Sequence, residues 1–461
     1  MTVYNKTYVS YKNVSAFCSK SNNTKLFIYC FLISLFFILL NIFYVSIDIS
    51  YFCNLTVIYK IFLLSFSFFY LFLLKFFCYL SKFFSYECIW ILMFSFFCLF
   101  LLIEINNFLY FYVVIEGYSL SIISFVGLKK FSKKLLNATF NYLIVNIITS
   151  CLMLYSISLI YYNTGVLNFV DLSNFYNYNL FYYLNFNYYI LILCFFVKLS
   201  VFPFSLYIVE IYNNLPFIFV FYFLLIPKFC FTVFLFNNIL INLNFINIVY
   251  LYLIVLTSAI HSILSSKKLN FKDLIINTSF SNTIFLLSPL FCKNIFILNG
   301  FFNFMFIYFF NLFCLIILVF IILIDYKLLN KRALNLYGIV RNNLYLAFAA
   351  IIFLVSLSSL PPFSGFFAKL YILYFFIEYK MYLIYFIVSF LNLFIVYSYL
   401  KNLKNFFALK KNFYLKNFNS SKKIYLYYLI SIISIFNLFF IFFFDFFFKL
   451  FYNLMYISVF I

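Results

Sequence analysis

Long apolar runs separated by short polar segments dominate the chain. A helix needs about 20 predominantly apolar residues to cross a bilayer, because every backbone amide in lipid must bond within its own segment. On this criterion the sequence predicts thirteen membrane spans, near 26–46, 57–80, 88–103, 107–128, 138–162, 189–208, 216–236, 245–265, 274–292, 300–324, 344–379, 382–401 and 424–455.

We expect proline to break the helix in two of these spans. Pro203 lies in 189–208, and Pro361, Pro362 and Gly365 lie in 344–379. A break in a membrane helix frees backbone groups that polar side chains and water must satisfy. The two broken helices are the sixth and eleventh spans, so they cross in opposite directions, as inverted repeats of five helices require.

The predicted fold is therefore an all-α polytopic membrane protein of about 13–14 transmembrane helices. It has two inverted five-helix repeats, each with a proline-broken helix, as in antiporter-like transporters. The expected organisation is a polar N-terminal segment with three spans, a first repeat, a second repeat, and a basic loop with a C-terminal helix. Their boundaries are 1–106, 107–236, 245–401 and 402–461.

Composition supports a membrane protein. Of 461 residues, 68% are hydrophobic and only 9% charged, too few polar side chains to coat a soluble globule of this length. With 6 Gly and 6 Pro, collagen-like and disordered chains are also excluded. Abundant Phe, Tyr, Ile, Leu, Asn and Lys is a slight indication of an A+T-rich organellar gene.

The basic residues behind the net charge of +21 lie mainly in the loops on one side of the predicted membrane spans. Strict alternation of the spans puts 23 of the 31 basic residues, including the four of segment 1–25, on one side, provided that 344–379 crosses once. The opposite side has only Lys293 and Lys380. The positive-inside rule therefore favours one interrupted helix at 344–379, and these loop charges do not indicate nucleic-acid binding.

No motif for a redox centre or nucleotide is present. The eleven cysteines are scattered without a C-x-x-C pair, and the six glycines form neither a G-x-G-x-x-G fingerprint nor a P-loop. We therefore expect no cofactor or metal in this chain. The polar start and the lack of a small-residue cleavage site also predict no signal peptide, so the first span is expected to remain.

Ionisable residues deep within apolar spans are costly and mark functional sites. Lys60 and Lys75 lie near the ends of their span, and Lys449 follows Asp445 by one turn, so snorkelling or a local pair explains them. The deep candidates are listed with their segments: Glu116 in YFYVVIEGYSLSIISF, Lys198 in LCFFVKLSVFPF, Lys228 in FYFLLIPKFCFTVF and Lys369 in PPFSGFFAKLYIL.

One carboxylate and three lysines cannot neutralise one another. Burial disfavours a charged lysine and a nearby carboxylate favours it, so moving one partner changes the proton affinity of the other. This favours a proton relay through Glu116, Lys198, Lys228 and Lys369. The alternative is one static ion pair with stray lysines.

Three segments carry a family resemblance. In chain order they are VKLSVFPFSLYIVEIYNNLP, LNFKDLIINTSFSNTIF and SLSSLPPFSGFFAKLYIL. Together they resemble the antiporter-like membrane subunits of respiratory complex I, over roughly residues 95–380. The resemblance implies that Glu116 pairs with Lys198, that Lys228 is the central relay lysine, and that Lys369 is the terminal one. Ser205 stands where this family usually has His, and Asn141 where Lys is common. His261, the sole histidine, is unassigned, with a surface or satisfied polar role favoured.

The resemblance implies a proton-translocating subunit of the respiratory NADH:ubiquinone oxidoreductase, multi-pass in the mitochondrial inner membrane with its N-terminus and basic loops toward the matrix. Flavin, iron–sulfur clusters and quinone would lie in partner subunits. Implied partners are neighbouring antiporter-like subunits, accessory subunits and lipids such as cardiolipin. The alternatives are a Mrp-like cation/proton antiporter, a non-pumping structural subunit and, least favoured, a small-solute permease.

Overall fold

The architecture is taken from a computed structural model of the chain. It describes residues 59–65, 67, 70, 86–127, 133–169, 171–172, 181–201, 204–215, 217–239, 248–267, 270–291, 295–325, 344–407, 424–440, 442 and 449. The predicted span 26–46 and parts of 57–80 and 424–455 lie outside these residues.

The described residues form helices and no strand, which confirms the predicted all-α class. After a helical piece at 59–65, the helices are α1 Tyr86–Leu102, α2 Phe108–Gly127, α3 Lys133–Thr164, α4 Phe181–Lys198, α5 Ser205–Asn214, α6 Phe217–Phe234, α7 Ile248–Lys267, α8 Phe271–Ser281, α9 Thr283–Leu287, α10 Ile295–Asp325, α11 Leu344–Ser358, α12 Ser364–Glu378, α13 Tyr382–Phe407 and α14 Ile424–Leu438.

The helix lengths fit a membrane protein. Within the described ranges, five helices are long and apolar enough to cross a bilayer. They are α2, α3, α6, α10 and α13, with apolar stretches at Phe108–Gly127, Leu136–Thr164, Phe219–Asn237, Asn299–Val319 and Tyr382–Lys404. The Phe219–Asn237 stretch is entirely buried, whereas only a third of Tyr382–Lys404 is, so α6 is central and α13 peripheral.

The helices form two groups that meet at the centre. In the first, α1 packs on α2, α2 on α3, and α3 on α4 and α5; in the second, α7 packs on α8 and α13, and α10 on α11, α12 and α14. Contacts of α5 and α6 with α8, and of α6 with α10, join the groups. Lys228 on α6 therefore lies at the junction.

The two predicted breaks have the same local structure. Helix α4 ends at Lys198 and α11 at Ser358, each followed by a serine with positive φ, Ser200 (60°) and Ser359 (62°). In both, the next amide donates to the carbonyl five residues back, Val201 to Phe196 and Leu360 to Val355, which is a Schellman ending. Sequence repeats too, S-V-F-P-F-S at 200–205 and S-L-P-P-F-S at 359–364.

The prolines of the two breaks are only partly described. Pro203 lies outside the described residues, although α4 ends and α5 begins on either side of it. Pro361 and Pro362 lie in the connection between α11 and α12, joined by a cis peptide bond. The helical run predicted at 344–379 is therefore broken where the sequence indicated.

A third interruption was not predicted. The expected span 274–292 is divided at Asn282 into α8 and α9, followed by a 3₁₀ turn at Ser288–Phe291. No proline lies at this bend. Asn282 and its neighbours Ser281 and Thr283 are instead buried polar residues whose side chains compete with the helix for hydrogen bonds.

Candidate functional site

The predicted ion pair is present in the first helix group. Lys198, the last residue of α4, places Nζ 3.1 Å from Oε1 of Glu116 in the middle of α2. The Lys198 side chain is 4% exposed and that of Glu116 20%, so the pair is largely withdrawn from the surface. Both residues lie in apolar helices, and the contact joins α2 directly to the first break.

Neutral groups complete this pair. Lys198 Nζ also donates to Asn146 Oδ1 at 3.1 Å, and the Ser119 hydroxyl donates to Glu116 Oε2 at 3.3 Å. Asn146 is buried on α3, whereas Asn141 on the same helix, which the sequence comparison singled out, is exposed. The contact of Asn146 with Lys198 was not predicted from the sequence.

A small cavity lies between Lys198 and Lys228. Its volume is about 40 Å³, and its walls include both lysines, Ser200 and Pro227. About 10–15 Å³ suffices for one water molecule. Since Pro227 has no N–H for the carbonyl of Phe223, another lining residue, the cavity offers polar partners as well as room for water.

Lys228 has neutral partners. Its Nζ donates to the Ser279 hydroxyl on α8 at 3.2 Å and lies 4.1 Å from the centroid of the Phe280 ring. The residue is 5% exposed. An ammonium is stabilised by an aromatic face, so the protonated form of Lys228 is supported here without a carboxylate.

Lys369 repeats this arrangement after the second break. Its Nζ donates to Asn392 Oδ1 on α13 at 2.8 Å and lies 4.8 Å from the Phe285 ring centroid. Asn392 in turn donates to the hydroxyl of Ser359, the positive-φ residue of the break. Lys369 is 3% exposed, so it too is a buried amine held by an amide and a ring.

The bent segment α8–α9 lies between these two lysines. It carries Phe280 and Phe285, which contact Lys228 and Lys369 respectively, and a buried run of polar side chains between residues 277 and 283. Thr278 accepts a hydrogen bond from Tyr399 on α13, and Asn282 Oδ1 is buried without a described partner. The segment therefore provides polar atoms from one lysine toward the other.

Three other sequence interpretations need correction. His261 is completely buried, so the surface role is wrong, whereas the alternative of a buried polar role fits its 3.0 Å hydrogen bond between Nδ1 and Asn277 Oδ1. Lys60 does not snorkel but forms a salt bridge with Glu104. Lys272, counted among the loop charges, is 2% exposed and donates to the carbonyls of Asn213 at 2.8 Å and of Leu215, at the end of α5.

Sequence reasoning found the four ionisable residues but missed their neutral partners. Asn146, Ser279 and Asn392 are polar residues inside apolar helices, and that signal was available. Phe280 and Phe285 were not distinguishable among 80 Phe. Within the described ranges, no three His, Cys, Asp or Glu side chains are grouped to hold a metal ion.

The fold and the buried amines define a class, the helical membrane proteins of antiporter-like architecture. A family of this class, NADH:quinone oxidoreductase/Mrp antiporter membrane proteins, matches residues 105–396, which is more than half of the chain. The chain belongs to this family, which confirms the resemblance seen in the sequence segments. The member of this family that the chain resembles in its VEIYNNLP and LPPFSGFFAK segments is NADH-ubiquinone oxidoreductase chain 2.

One curated relative and three solved structures are similar to this chain. NADH-quinone oxidoreductase subunit N of Wolbachia sp. subsp. Brugia malayi is 31% identical over 137 residues, which is 29% of each chain, so the match spans under a third of that relative. A chain of respiratory complex I from Thermus thermophilus superposes with a TM-score of 0.67 at 16% identity, covering 83% of this chain and 82% of that one.

The other two structures come from different membrane complexes. A chain of the Mrp complex from a Dietzia species gives a TM-score of 0.67 at 14% identity, with 79% and 76% coverage. A chain of the membrane-bound sulfane sulfur reductase, an archaeal respiratory membrane complex, gives 0.72 at 16% identity, with 89% and 82% coverage. These likenesses show the antiporter-like fold.

Proposed function

We propose that this chain is a proton-translocating membrane subunit of a respiratory NADH:ubiquinone oxidoreductase. The observation that carries the proposal is the series of buried ionisable groups, from the Glu116–Lys198 pair through Lys228 to Lys369, along both helix breaks. Lys228 and Lys369 have no carboxylate partner among the described residues, so each holds its proton less tightly than an ion-paired lysine does, and a static structural role does not require three buried lysines.

The proposed cycle begins at the ion pair. When Glu116 and Lys198 are 3.1 Å apart, the carboxylate holds the proton on Lys198. If quinone reduction in a neighbouring subunit separates the pair, Lys198 loses this support. Its proton then passes through water in the cavity to neutral Lys228, since both lysines line that cavity.

The second half of the path runs along α8–α9. A proton on Lys228 next to Ser279 moves through water near the buried polar atoms of that segment and reaches Lys369. Moving one charge against the membrane potential costs about 2.3 kcal/mol per 100 mV. A shift of about two pKa units in a buried lysine, at about 1.4 kcal/mol per unit, is enough.

The remaining assignments of the proposal follow from the same family. Flavin, iron–sulfur clusters and quinone would be held by partner subunits, and neighbouring antiporter-like subunits, accessory subunits and cardiolipin would contact the Phe-rich surface. The location would be the mitochondrial inner membrane, with basic loops in the matrix. The matching breaks at 200–205 and 359–364 support the two repeats at 107–236 and 245–401.

The direct test substitutes the relay lysines in the intact complex. Lys228→Met and Lys369→Met should abolish most NADH-driven proton uptake into sealed vesicles, because Met has similar length and no proton to exchange. The matched control is Lys404→Met, since Lys404 is exposed on α13. Full proton uptake by Lys369→Met would support the non-pumping structural subunit instead.

A Mrp-like antiporter is the second candidate, favoured by the likeness to the Dietzia Mrp complex. It would use the same lysines, but it would work without a redox partner. Mass spectrometry of the native assembly in mild detergent separates the two. Co-migration with flavin and iron–sulfur subunits supports the respiratory complex, whereas a redox-free particle supports the antiporter.

A further inference from the structure

An apolar groove on the side of the second helix group is not used by the relay described above. Its volume is about 420 Å³, against about 40 Å³ for the cavity between Lys198 and Lys228. Its walls belong to α10, α14, the start of α12 and the helical piece at 59–65. The rim is open, since Ile432 is 67% exposed and Ile307 is only partly buried. The groove can therefore be reached from outside the bundle.

The groove lies near the middle of the bilayer. On α10 its lining residues run from Asn303 to Phe310, about 12–22 Å along the axis from the start of that helix. On α14 they run from Ile432 to Phe440, about 12–24 Å from the start of that helix. The two helices correspond to the tenth and thirteenth predicted spans, so they start from opposite faces of the membrane. With a hydrocarbon core about 30 Å thick, both stretches lie near its centre.

The walls of the groove match uncharged hydrocarbon. Among the described residues, those that line it include no ionisable side chain, and most are Phe or Ile. Of the polar ones, Ser364 and Asn437 are hydrogen-bonded to each other at 2.7 Å, and Asn303 donates to Asn299 at 3.4 Å. Water would find few polar partners in such a groove. An empty groove would forfeit the dispersion contacts of its walls, so a hydrocarbon occupant is favoured.

The length of the groove argues against a protein helix as its occupant. The lining residues extend over about 10–12 Å of α10 and α14, whereas a helix in the membrane must run through about 30 Å of hydrocarbon. So short a groove also cannot bury the area of about 1,000 Å² that a specific contact with a second copy or another subunit needs. Its volume instead lies in the range of small-ligand sites, about 300–1,000 Å³.

We propose that this groove is a binding site for one acyl chain of a membrane phospholipid. The chain enters between α10 and α14, and its end lies against Ser364, the first residue of α12. Because lipid tails are as apolar as the groove, the gain comes from filling space that the side chains leave open. The bound chain therefore supports the second break five residues before Lys369. This inference needs the membrane fold but not proton pumping.

The test is photolabelling of the chain in its native assembly. A phosphatidylcholine with a diazirine at the end of one acyl chain is added to the membranes, and mass spectrometry locates the label after irradiation. Segment 303–310 should be labelled. In Ile433→Trp the indole fills the groove from α14, so labelling of 303–310 should fall by about fivefold or more. Ile435→Trp is the matched control, because Ile435 is 54% exposed on the same helix and does not line the groove.

Three results would overturn the proposal. Equal labelling of 303–310 in the two variants would mean that lipid only surrounds the bundle there. A cross-link from 303–310 to another subunit in place of lipid would mean that protein covers the groove. Loss of the label with excess ubiquinone, but not with unlabelled phosphatidylcholine, would assign the groove to a quinone tail. If Ile433→Trp does not assemble, Ile307→Trp fills the groove from α10, and labelling is then followed at 432–440.

Discussion

At the scale of single residues, the unusual feature is that the buried amines of Lys228 and Lys369 have no carboxylate partner among the described residues. Within the described part of the chain, the carboxylate salt bridges involve Lys60 and Lys198, while Lys228 and Lys369 contact amide or hydroxyl oxygens and aromatic rings. Neutral partners hold an ammonium more weakly than a carboxylate does. Such lysines release a proton at lower cost than members of a tight ion pair.

Asn146 is the neutral partner whose loss is easiest to test. Asn146→Leu leaves Lys198 with Glu116 alone, and a hydrogen bond to a charged group contributes about 1.5–3 kcal/mol. The protonated form of Lys198, with which the proposed cycle begins, becomes less stable by that amount and is less populated, so proton uptake should fall by roughly tenfold or more. Vesicle assays measure the rate, with Asn163→Leu, exposed on the same helix, as the control. Equal rates in both variants would exclude a role for Asn146.

At the scale of secondary structure, three polar side chains tie the second break to its surroundings. Asn311 on α10 donates to Ser364 at 3.0 Å, Ser364 donates to Asn437 on α14 at 2.7 Å, and Asn437 donates back to Asn311 at 2.9 Å. All three residues are at most 2% exposed. This closed ring fixes the start of α12, five residues before Lys369.

Breaking the ring should destabilise the bundle. Asn311→Leu leaves Ser364 without its donor and Asn437 without its acceptor, at about 1–3 kcal/mol for each unsatisfied buried group. The expected result is a lower melting temperature of the detergent-solubilised complex and reduced proton uptake. Asn163→Leu again provides the comparison. An unchanged melting temperature for Asn311→Leu would show that the ring contributes little.

Gly365 offers a second test of this region. A Cβ at position 365 would overlap the Ser356 carbonyl oxygen of α11. Gly365→Ala therefore forces α11 and α12 apart, and we expect a cost of about 1–3 kcal/mol, seen as lost thermal stability and slower proton uptake. Gly127→Ala is the matched control, because nothing lies within 4 Å of its Cβ. Similar stability of the two variants would contradict the close packing.

At the scale of the whole molecule, Lys272 links the two helix groups. Its buried ammonium donates to carbonyls at the end of α5 from the first turn of α8. Cations are favourable at helix C-termini, where carbonyls lack helical partners. The contact lies on the same two elements that bring Ser279 to Lys228, so it holds the junction in register.

Removing this link should loosen the junction. Lys272→Met leaves the carbonyls of Asn213 and Leu215 without this donor, a loss of about 1.5–3 kcal/mol for each bond. Amide hydrogen exchange in segment 211–220 should then rise. Lys267→Met, whose side chain is exposed nearby, should leave exchange unchanged. Equal exchange in the two variants would refute the linking role.

The sequence predicts the individual helices of this molecule better than it predicts how they pack against one another. Apolar runs and prolines located most helices and the break at 359–363, because those signals are local. Depth in a span identified Lys198, Lys228 and Lys369. The bend at Asn282, the partner of Lys60 and the burial of Lys272 depend on which helices pack together, and that information is not carried by periodicity.

The close contact between Gly365 and Ser356 limits the direction in which α11 and α12 can move. Since the glycine backbone already lies against the opposite carbonyl, α11 and α12 cannot approach further at this point. This contact blocks motion of α11 and α12 toward each other at the break. A conformational change that reaches Lys369 through this break can therefore separate α11 from α12 or slide one along the other, but it cannot press them closer together here.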